Sequence, residues 1–393
     1  MRVGIFGGSF DPVHSEHIAM AQSAIDCLRL DTLFIMPAHT PPHKQGKTLS
    51  DNAHRLALCS LAFENVPRAK VCDYEMKRGG TSYTYLTCEY FRTLYPDAEL
   101  FWLVGTDMLR DFPTWKEPEK ILSCVTLAVC ARAEKSGWLE HERKVFYERF
   151  GKEFAVIDYV GEAVSSTQIR VLAGAGVDIT PYVGEKCAEY IEREKLYHIP
   201  FAKEALSLEK ESRRLHSIRV AEVSATRAKA LGVDEKQAIT AGLLHDCAKN
   251  LDMDSPYLRG FALPSEWGEV PSEVVHQFAG AYVCEHAFGV TDKEVLNAVR
   301  YHTSARVGMS ALEKLIFLAD MVEPQRNYEG VDELRAMFFE EKKGADGLDE
   351  CLKKALTETV LHLKRKGGRI YPLTLQACEY YNQGEDYGKR GNE

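Results

Sequence analysis

The sequence lacks a long apolar run. No stretch of about 18 consecutive apolar residues, the length that a membrane-spanning helix needs, occurs in the 393 residues. The first residues, Arg2-Val-Gly-Ile-Phe6, have the pattern of a short strand and not that of a charged segment followed by an apolar core, so we expect no signal peptide. We therefore expect a cytoplasmic protein that has no membrane partner.

The cysteines show no pairing pattern. There are 11 of them, an odd number, and no Cys-x-x-Cys occurs. A disulfide framework and a cysteine zinc site are therefore not expected.

Basic residues are outnumbered. The chain has 49 Lys and Arg against 58 Asp and Glu, a net charge of −9. A general nucleic-acid binder needs a basic surface that displaces counterions, so this class is not expected. Small anionic ligands, held locally by Arg, Lys and metal ions, fit the composition better.

The pattern of the chain changes near Pro200. Short apolar strands alternate with helical segments before this point, which predicts an α/β domain with a doubly wound parallel sheet. Long helical periodicities follow it and predict an all-α domain. The length is too great for one ordinary core, and we predict domains at 1–199 and 200–393.

The first strand ends in a glycine turn. Gly7 and Gly8 are followed by Ser9, Phe10 and the start of an amphipathic helix. Adjacent glycines let the backbone approach a ligand, and a helix N-terminus attracts phosphate. The next two candidates are His14 and His17. Because they are three residues apart, both lie on one helix face if the helix has begun at His14. The alternative is an ordinary strand–turn–helix with two surface histidines.

Further candidate ligand groups follow later strands. Lys44 lies in a Pro-rich loop, where it can reach phosphate or be a solvated lysine. Tyr83 and Thr84 begin a helix and suit a pyridine carboxylate, unless they serve only in packing. Gly105 and Asp107 follow an apolar strand and offer an acceptor to ribose or adenine. The carboxyl ends of parallel strands meet at one edge of a sheet, which is where such folds bind ligands.

A second helix N-terminus follows the last strand. Ser165 and Gln168 fit a capping box, which alone is a common structural device. Ser166, Thr167 and Arg170 lie in the same turn and add hydroxyls and a guanidinium. This combination predicts a second phosphate site.

These motifs together resemble the nucleotidylyltransferase superfamily. Gly-Gly-Ser-Phe-Asp-Pro-Val-His-x-x-His, Pro-Pro-His-Lys and Ser-Ser-Thr-x-x-Arg are similar to motifs of bacterial nicotinate-mononucleotide adenylyltransferases, over about residues 1–198. The resemblance implies transfer of AMP from ATP, with Mg²⁺, to nicotinate mononucleotide, giving deamido-NAD and pyrophosphate in NAD biosynthesis. Glu16 stands where that family usually has glycine.

The resemblance also implies roles for individual residues. It implies catalytic roles for His14, His17, Lys44 and Arg170. It implies ATP binding by Gly7, Gly8, Ser9, Phe10, His14, His17, Gly105, Asp107, Ser166, Thr167 and Arg170. It implies binding of the mononucleotide by Tyr83, Thr84 and Trp115.

The second half carries histidines and aspartates inside apolar helical runs. A single histidine on such a face is usually a satisfied core residue, but six such residues would be costly to bury without partners. Metal coordination satisfies them all, and imidazole with carboxylate suits iron, manganese or zinc. The candidates are His216, His245, Asp246, His276, His302 and Asp320.

This set resembles the HD-domain metal phosphohydrolases. The runs Leu-Leu-His-Asp-Cys-Ala-Lys, His-Thr-Ser-Ala-Arg and Leu-Ala-Asp-Met-Val-Glu-Pro-Gln-Arg are similar to those of bacterial HD enzymes that split diadenosine tetraphosphate into two ADP, over about residues 205–375. The resemblance implies that the six residues bind two metal ions, with iron expected, and that Asp246 bridges them and is catalytic. It implies phosphate contacts from Lys249, Thr303, Arg306 and Arg326. Ala305 stands where that family usually has glycine.

The sequence therefore predicts a bifunctional enzyme whose partners are ATP, nicotinate mononucleotide and diadenosine tetraphosphate. Two alternatives stay open. The first half can be specific for another mononucleotide, and the HD half can be a nucleotide-sensing module without catalysis. A homo-oligomer is compatible with either.

Overall fold

The chain divides into two compact units. The computed structural model describes residues 1–42, 49–131, 136–161, 164–266, 268–340, 344–367 and 369–383. One unit comprises Met1–Arg170 and Asp178–Leu196, and the other comprises Val171–Val177 and Tyr197–Glu393.

The first unit is built on a six-stranded parallel sheet of order β3-β2-β1-β4-β5-β6. Continuous apolar runs form the central strands because helices cover both faces of such sheets. The strand order reverses between β1 and β4, so the crevice at their carboxyl ends is the expected ligand site. The strands are β1 Arg2–Gly8, β2 Thr32–Pro37, β3 Ala69–Val71, β4 Glu99–Gly105, β5 Thr126–Ala131 and β6 Ala155–Asp158.

Helices connect these strands, as the α/β prediction requires. Trp102, Leu127 and Val129 of the sheet are buried together with Phe91 and Phe112 from the helical layer. The helices between the strands are α1 Ser15–Cys27, α2 Asn52–Phe63, α3 Tyr74–Arg78, α4 Thr84–Leu94, α5 Thr106–Asp111, α6 Pro118–Cys124 and α7 Ser136–Phe150. After the last strand come α8 Ser166–Gly174, whose residues from Val171 onward belong to the other unit, α9 Thr180–Val183 and α10 Glu185–Arg193.

The second unit is helical throughout its described residues, which confirms the all-α prediction. Several helices begin at side-chain caps, such as Asp234, which accepts a hydrogen bond from the Gln237 N–H at 3.0 Å. The helices are α11 Ala202–Ser207, α12 Glu211–Ala228, α13 Glu235–Leu244, α14 Ser272–His286, α15 Lys293–Tyr301, α16 Ala311–Val322, α17 Val331–Phe338, α18 Gly344–Arg365 and α19 Pro372–Gln383.

Helices α12 and α13 approach each other closely at Gly242. A Cβ atom at this position would lie 2.6 Å from the Cα of Ala221. The absence of a side chain therefore lets the two backbones meet. Since α12 carries His216 and α13 leads directly into His245, this contact fixes the spacing of two of the predicted metal ligands.

In the part of the chain that the structure describes, no helix combines the length and the apolar character that crossing a membrane requires.

Two candidate active sites

A cavity of about 720 Å³ lies in the first unit where β1 and β4 end. It is mainly apolar, with polar groups from the strand ends and the following loops, as small-molecule sites usually are. Its lining residues are Phe6, Gly7, Gly8, Ser9, His17, Met20, Ala38, Pro41, Pro42, Glu75, Ser82, Tyr83, Thr84, Trp102, Leu103, Val104, Gly105, Met108, Thr114, Trp115 and Lys116.

The cavity gathers about half of the residues predicted for this unit. Those that line it are Gly7, Gly8, Ser9, His17, Tyr83, Thr84, Gly105 and Trp115. Those that do not are Phe10, His14, Asp107, Ser166, Thr167 and Arg170. Lys44 lies outside the described residues. The glycine turn, the start of α4 and the segment after α5 therefore meet at one site, as the sheet topology requires.

The two histidines after the glycine turn meet, but they differ in environment. Helix α1 begins one residue later than the same-face argument required, so His14 is the N-cap with an extended backbone. Its ring centroid is 3.7 Å from that of His17, and burial lowers the pKa of His14 to about 4. The His14 N–H donates to Nδ1 of His17 at 3.2 Å. Because Nδ1 accepts, Nε2 of His17 carries the hydrogen and can donate to a ligand.

The N-terminus of α8 holds the loop that precedes α1. The Ser166 hydroxyl donates to the carbonyl of Pro12 at 2.9 Å. Arg170 donates to the carbonyl of Asp11 at 2.6 Å and to the Thr167 hydroxyl at 2.9 Å. Ser166 and Arg170 therefore contact the turn that precedes the histidines, and Thr167 contacts Arg170; none of the three lines the cavity.

Arg55 is a buried residue of this site whose role the sequence did not indicate. It is 1% exposed and donates to the carbonyls of Ser9 at 2.8 Å and Ala38 at 2.7 Å. Both acceptors line the cavity. In the sequence Arg55 is one more polar residue on α2, because nothing local shows that two loops converge on it.

Other cavity residues that the sequence did not single out lie beside the predicted mononucleotide site. The Lys116 ammonium lies 4.4 Å from the ring centroid of Tyr83, a cation–π geometry. Glu75 is 3% exposed and accepts a hydrogen bond from the Thr87 hydroxyl at 2.5 Å. These contacts fix the start of α4, where Tyr83 and Thr84 lie.

Glu16 points away from the cavity. Its carboxylate accepts a hydrogen bond from the Tyr159 hydroxyl at 2.6 Å, and the side chain is buried on the β6 side of α1. Glu16 is absent from the cavity lining.

Replacing Gly7 by alanine should destabilise the first unit. A Cβ at Gly7 would lie 2.6 Å from the ring of Trp102, a buried residue with little room to move. Overpacking of this kind costs about 1–3 kcal/mol, which a shift of the urea unfolding midpoint would measure. Gly105→Ala is the matched control, since its Cβ would meet no atom within 4 Å. An equal loss in both variants would contradict the expected clash.

The second unit brings the predicted histidines and aspartates together. Two groups have ligand atoms that all lie within 4.8 Å of one another, and Asp246 belongs to both. The first group is His216, His245 and Asp246, and the second is Asp246, His276 and His302. Asp320 joins the first group, because its Oδ1 lies 2.8 Å from Nε2 of His216.

Backbone carbonyls orient two of the imidazoles toward Asp246. Nδ1 of His245 bonds to the carbonyl of Gly242, and Nδ1 of His302 bonds to that of Val299, each at 2.7 Å. Nε2 of both rings therefore faces the Asp246 carboxylate, at 3.5 and 3.4 Å. Nε2 of His245 and Oδ1 of Asp246 are buried and have no hydrogen-bond partner among the described residues. Unsatisfied buried atoms of these types fit metal coordination.

The protonation states of three cluster residues, His245, His276 and Asp246, suit metal ligands. Burial lowers the pKa of His245 and of His276 to about 4 each. Burial opposes ionisation of Asp246, but the surrounding histidines outweigh it and hold its pKa well below the usual range. Neutral imidazoles and an ionised carboxylate are the forms that bind metal.

Comparison with known proteins matches both units. The cytidylyltransferase-like family model matches residues 5–172, and the HD domain model matches residues 213–325. A protein of Mycoplasma pneumoniae named "Probable nicotinate-nucleotide adenylyltransferase/Ap4A hydrolase" is 30% identical over 336 residues, which cover 83% of this chain and 89% of the relative. The chain belongs to this two-domain family.

Other relatives match one half of the chain. A "Probable nicotinate-nucleotide adenylyltransferase" of Clostridium tetani is 34% identical over 194 residues, covering 49% of this chain and 97% of the relative. A crystal structure from Clostridium acetobutylicum, described as a predicted HD superfamily hydrolase involved in NAD metabolism, is 32% identical with a TM-score of 0.41, covering 47% of this chain and 95% of that one.

Cationic side chains surround the cluster of the HD unit. Lys249 contacts the ring nitrogens of His276 at 3.0 and 3.1 Å, and Arg326 pairs with Asp320. Arg213, which the sequence did not single out, pairs with Asp246 at 2.9 Å. The two arginines thus pair with carboxylates of the cluster, and Lys249 contacts one of its imidazoles.

Thr303 and Arg306 have different surroundings, although both were predicted phosphate contacts. The Thr303 hydroxyl lies 3.1 Å from Nε2 of His276, inside the cluster. Arg306 pairs with Glu313 at 2.6 Å and lies over the ring of Tyr301. The intervening Ala305 has a φ of 58°, a left-handed conformation that explains why glycine would suit this turn.

Proposed function

We propose that the first unit transfers AMP from ATP to nicotinate mononucleotide and releases pyrophosphate. The observation that supports this best is the cavity at the reversal of strand order, where the glycine turn and His17 face Tyr83 and Trp115. Phosphate-binding groups and aromatic groups thus lie in one cavity. Its location fits a nucleotide site.

In this proposal the protein positions the reactants and neutralises charge. An oxygen of the mononucleotide phosphate attacks the α-phosphorus of ATP, and the bond to the β-phosphate breaks as pyrophosphate leaves. No protein nucleophile is needed. His17 donates from Nε2 to the transferring phosphate, and Mg²⁺ bound with ATP adds charge neutralisation. Arg170 acts through the loop at Asp11, which it holds.

The proposed role of Lys44 rests on the motif resemblance alone. It would add a cation at the phosphates. For two predicted ATP contacts that do not line the cavity, we propose an indirect role: Ser166 bonds to the turn before the histidines, and Thr167 bonds to Arg170, which also bonds to that turn.

The nicotinate carboxylate is proposed to bind near the start of α4. The N–H groups there and the ammonium of Lys116 favour an anion. We therefore expect nicotinate mononucleotide to be used at least about tenfold more efficiently than nicotinamide mononucleotide, which corresponds to about 1.4 kcal/mol. Competition between the two in an adenylyl-transfer assay measures this ratio. Equal use of both, or a preference for the amide, would contradict the proposed substrate.

We propose that the second unit hydrolyses diadenosine tetraphosphate to two ADP. The cluster built on Asp246 supports this, because its six side chains are of the types that bind divalent ions, and the pKa of Asp246 is held well below its usual range. Such ions supply Lewis acidity that activates water and offsets phosphate charge. We propose iron as the resident metal, with manganese and zinc as the alternatives.

The protein's own cations would bind the polyphosphate chain. Lys249, Arg213 and Arg326 lie around the cluster, and a tetraphosphate carries several negative charges that they can meet. Thr303 adds a hydroxyl beside His276. Arg306 would reach the substrate only after leaving Glu313.

An assay of the full-length protein with diadenosine tetraphosphate, combined with elemental analysis, tests this proposal. We expect bound divalent metal and ADP as the only nucleotide product. ATP plus AMP would indicate asymmetric cleavage. Metal and nucleotide binding without product would favour the nucleotide-sensing alternative.

We also propose that the functional domains are residues 1–199 and 200–393, each with its own site. The division into two compact units supports this. The proposed nucleotide substrates favour a location in the cytoplasm.

A further inference from the structure

In three imidazoles of the HD cluster, Nδ1 bonds to groups of different kinds. His245 and His302 bond to main-chain carbonyls through Nδ1. His216 instead has a carboxylate behind it, since its Nδ1 lies 3.1 Å from Oε1 of Glu323. Its Nε2 faces Asp320 on the other side of the ring. The partner of Nδ1 is therefore a carboxylate for His216 and a neutral carbonyl for the other two histidines.

Glu323 is held rigidly in this position. It is 2% exposed. Its Oε2 accepts hydrogen bonds from Arg219 Nε at 2.7 Å and from the Gln325 N–H at 2.8 Å. It follows the last residue of α16, three positions after Asp320, so one chain segment supplies both a metal ligand and the group that orients another ligand.

The second metal position is the one formed by Asp246, His276 and His302. No comparable carboxylate bonds to its imidazoles among the described residues. His276 contacts the Lys249 ammonium and the Thr303 hydroxyl, and no carboxylate other than that of Asp246 contacts its ring among the described residues. The first position also has one more protein ligand, because Asp320 lies beside His216. Both differences favour the first position.

We propose that Glu323 is a positioning residue that makes the His216 position the stronger of two unequal metal positions. This inference rests on the dimetal site of the proposed function. A carboxylate bonded to the far nitrogen of a ligating imidazole fixes the ring's orientation and tautomer and makes the ring a better donor. Loss of such a partner typically weakens metal binding 10–100-fold, by order of magnitude.

Titration of the metal-free full-length protein with Mn²⁺ tests the inference. We expect two binding classes of one ion each, with dissociation constants at least about tenfold apart. Glu323→Gln keeps the size of the side chain and removes its charge, and it should weaken the tighter class about 10–100-fold while leaving the weaker class unchanged. The readout is metal binding, which requires no substrate.

Glu313→Gln is the matched control for metal binding. Glu313 lies on α16, the helix that Glu323 directly follows, is fully buried and pairs with Arg306, yet it contacts none of the six ligands in the described hydrogen bonds and ion pairs. Both Mn²⁺ classes should persist in this variant. Loss of the tighter class here too would overturn the assignment, because burial of any carboxylate on α16 would then explain it.

Arg219→Met keeps the partner of His216 and removes the cation that holds it. It should weaken the same class by less than Glu323→Gln does. One uniform class in the wild type, or equal weakening of both classes in Glu323→Gln, would overturn the inference. Two unequal classes without cleavage of diadenosine tetraphosphate would leave it standing and refute the proposed hydrolase activity instead.

Discussion

Replacing Asp246 by alanine should abolish hydrolysis of diadenosine tetraphosphate and remove most of the bound metal, while adenylyl transfer continues. Asp246 is the one residue that both ligand groups share, and a shared carboxylate holds both ions. Its loss also leaves the surrounding imidazoles without the anion that they face. Elemental analysis and separate assays of the two reactions measure the three outcomes.

Asp320→Ala provides a graded comparison. Asp320 accompanies only the first group, so its loss should cost about one metal equivalent where loss of Asp246 costs about two. Full metal content and activity in Asp246→Ala would mean that the cluster is a set of core histidines. If both reactions failed while circular dichroism stayed unchanged, the second half would be better explained as a regulatory part of the transferase.

Replacing His17 by alanine should lower kcat/KM for adenylyl transfer by about 10²–10³-fold, the effect of removing one preorganised transition-state donor. His17 is the histidine that lines the cavity, and its Nδ1 accepts from the backbone, which leaves Nε2 as the donor. The fall should lie mainly in kcat, because the phosphate charge that it meets develops during transfer.

His54→Ala is the matched control for this substitution. His54 is in the same unit and contacts the Tyr190 hydroxyl at 3.0 Å, outside the cavity lining. Its removal should leave adenylyl transfer unchanged, and hydrolysis by the second unit serves as an internal standard for protein quality. A near-wild-type rate in His17→Ala would refute the donor role.

The local sequence pattern predicted strands well where burial determines that pattern. The apolar runs at 32–36 and 99–104 each predict a strand. They form β2 and β4, and each strand extends one residue further than its run. The edge strand agrees less closely, because the sequence predicts a strand at 70–73 whereas β3 is Ala69–Val71. An edge strand has fewer buried positions, and its pattern is correspondingly weaker.

The site could be predicted only as far as its motifs reach along the chain. Asp246 and its histidines were identified because they stand in apolar helical runs where polar groups need a reason. Arg55 and Glu323 could not be identified, because each acquires its role from a partner distant in sequence: Ser9 for Arg55 and His216 for Glu323. Whether the helix had begun at His14 stayed open, because a cap and a first helical residue look alike in sequence.

The close approach at Gly242 has a consequence for mutational scanning. Any side chain there would press on Ala221 of α12 and shift His216 relative to His245. In a library in which every position is randomised and variants are sorted by metal retention, position 242 should tolerate as few residues as a ligand does, although glycine has no donor atom to offer. A tolerance map of this unit would therefore outline the helix contact as well as the metal centre.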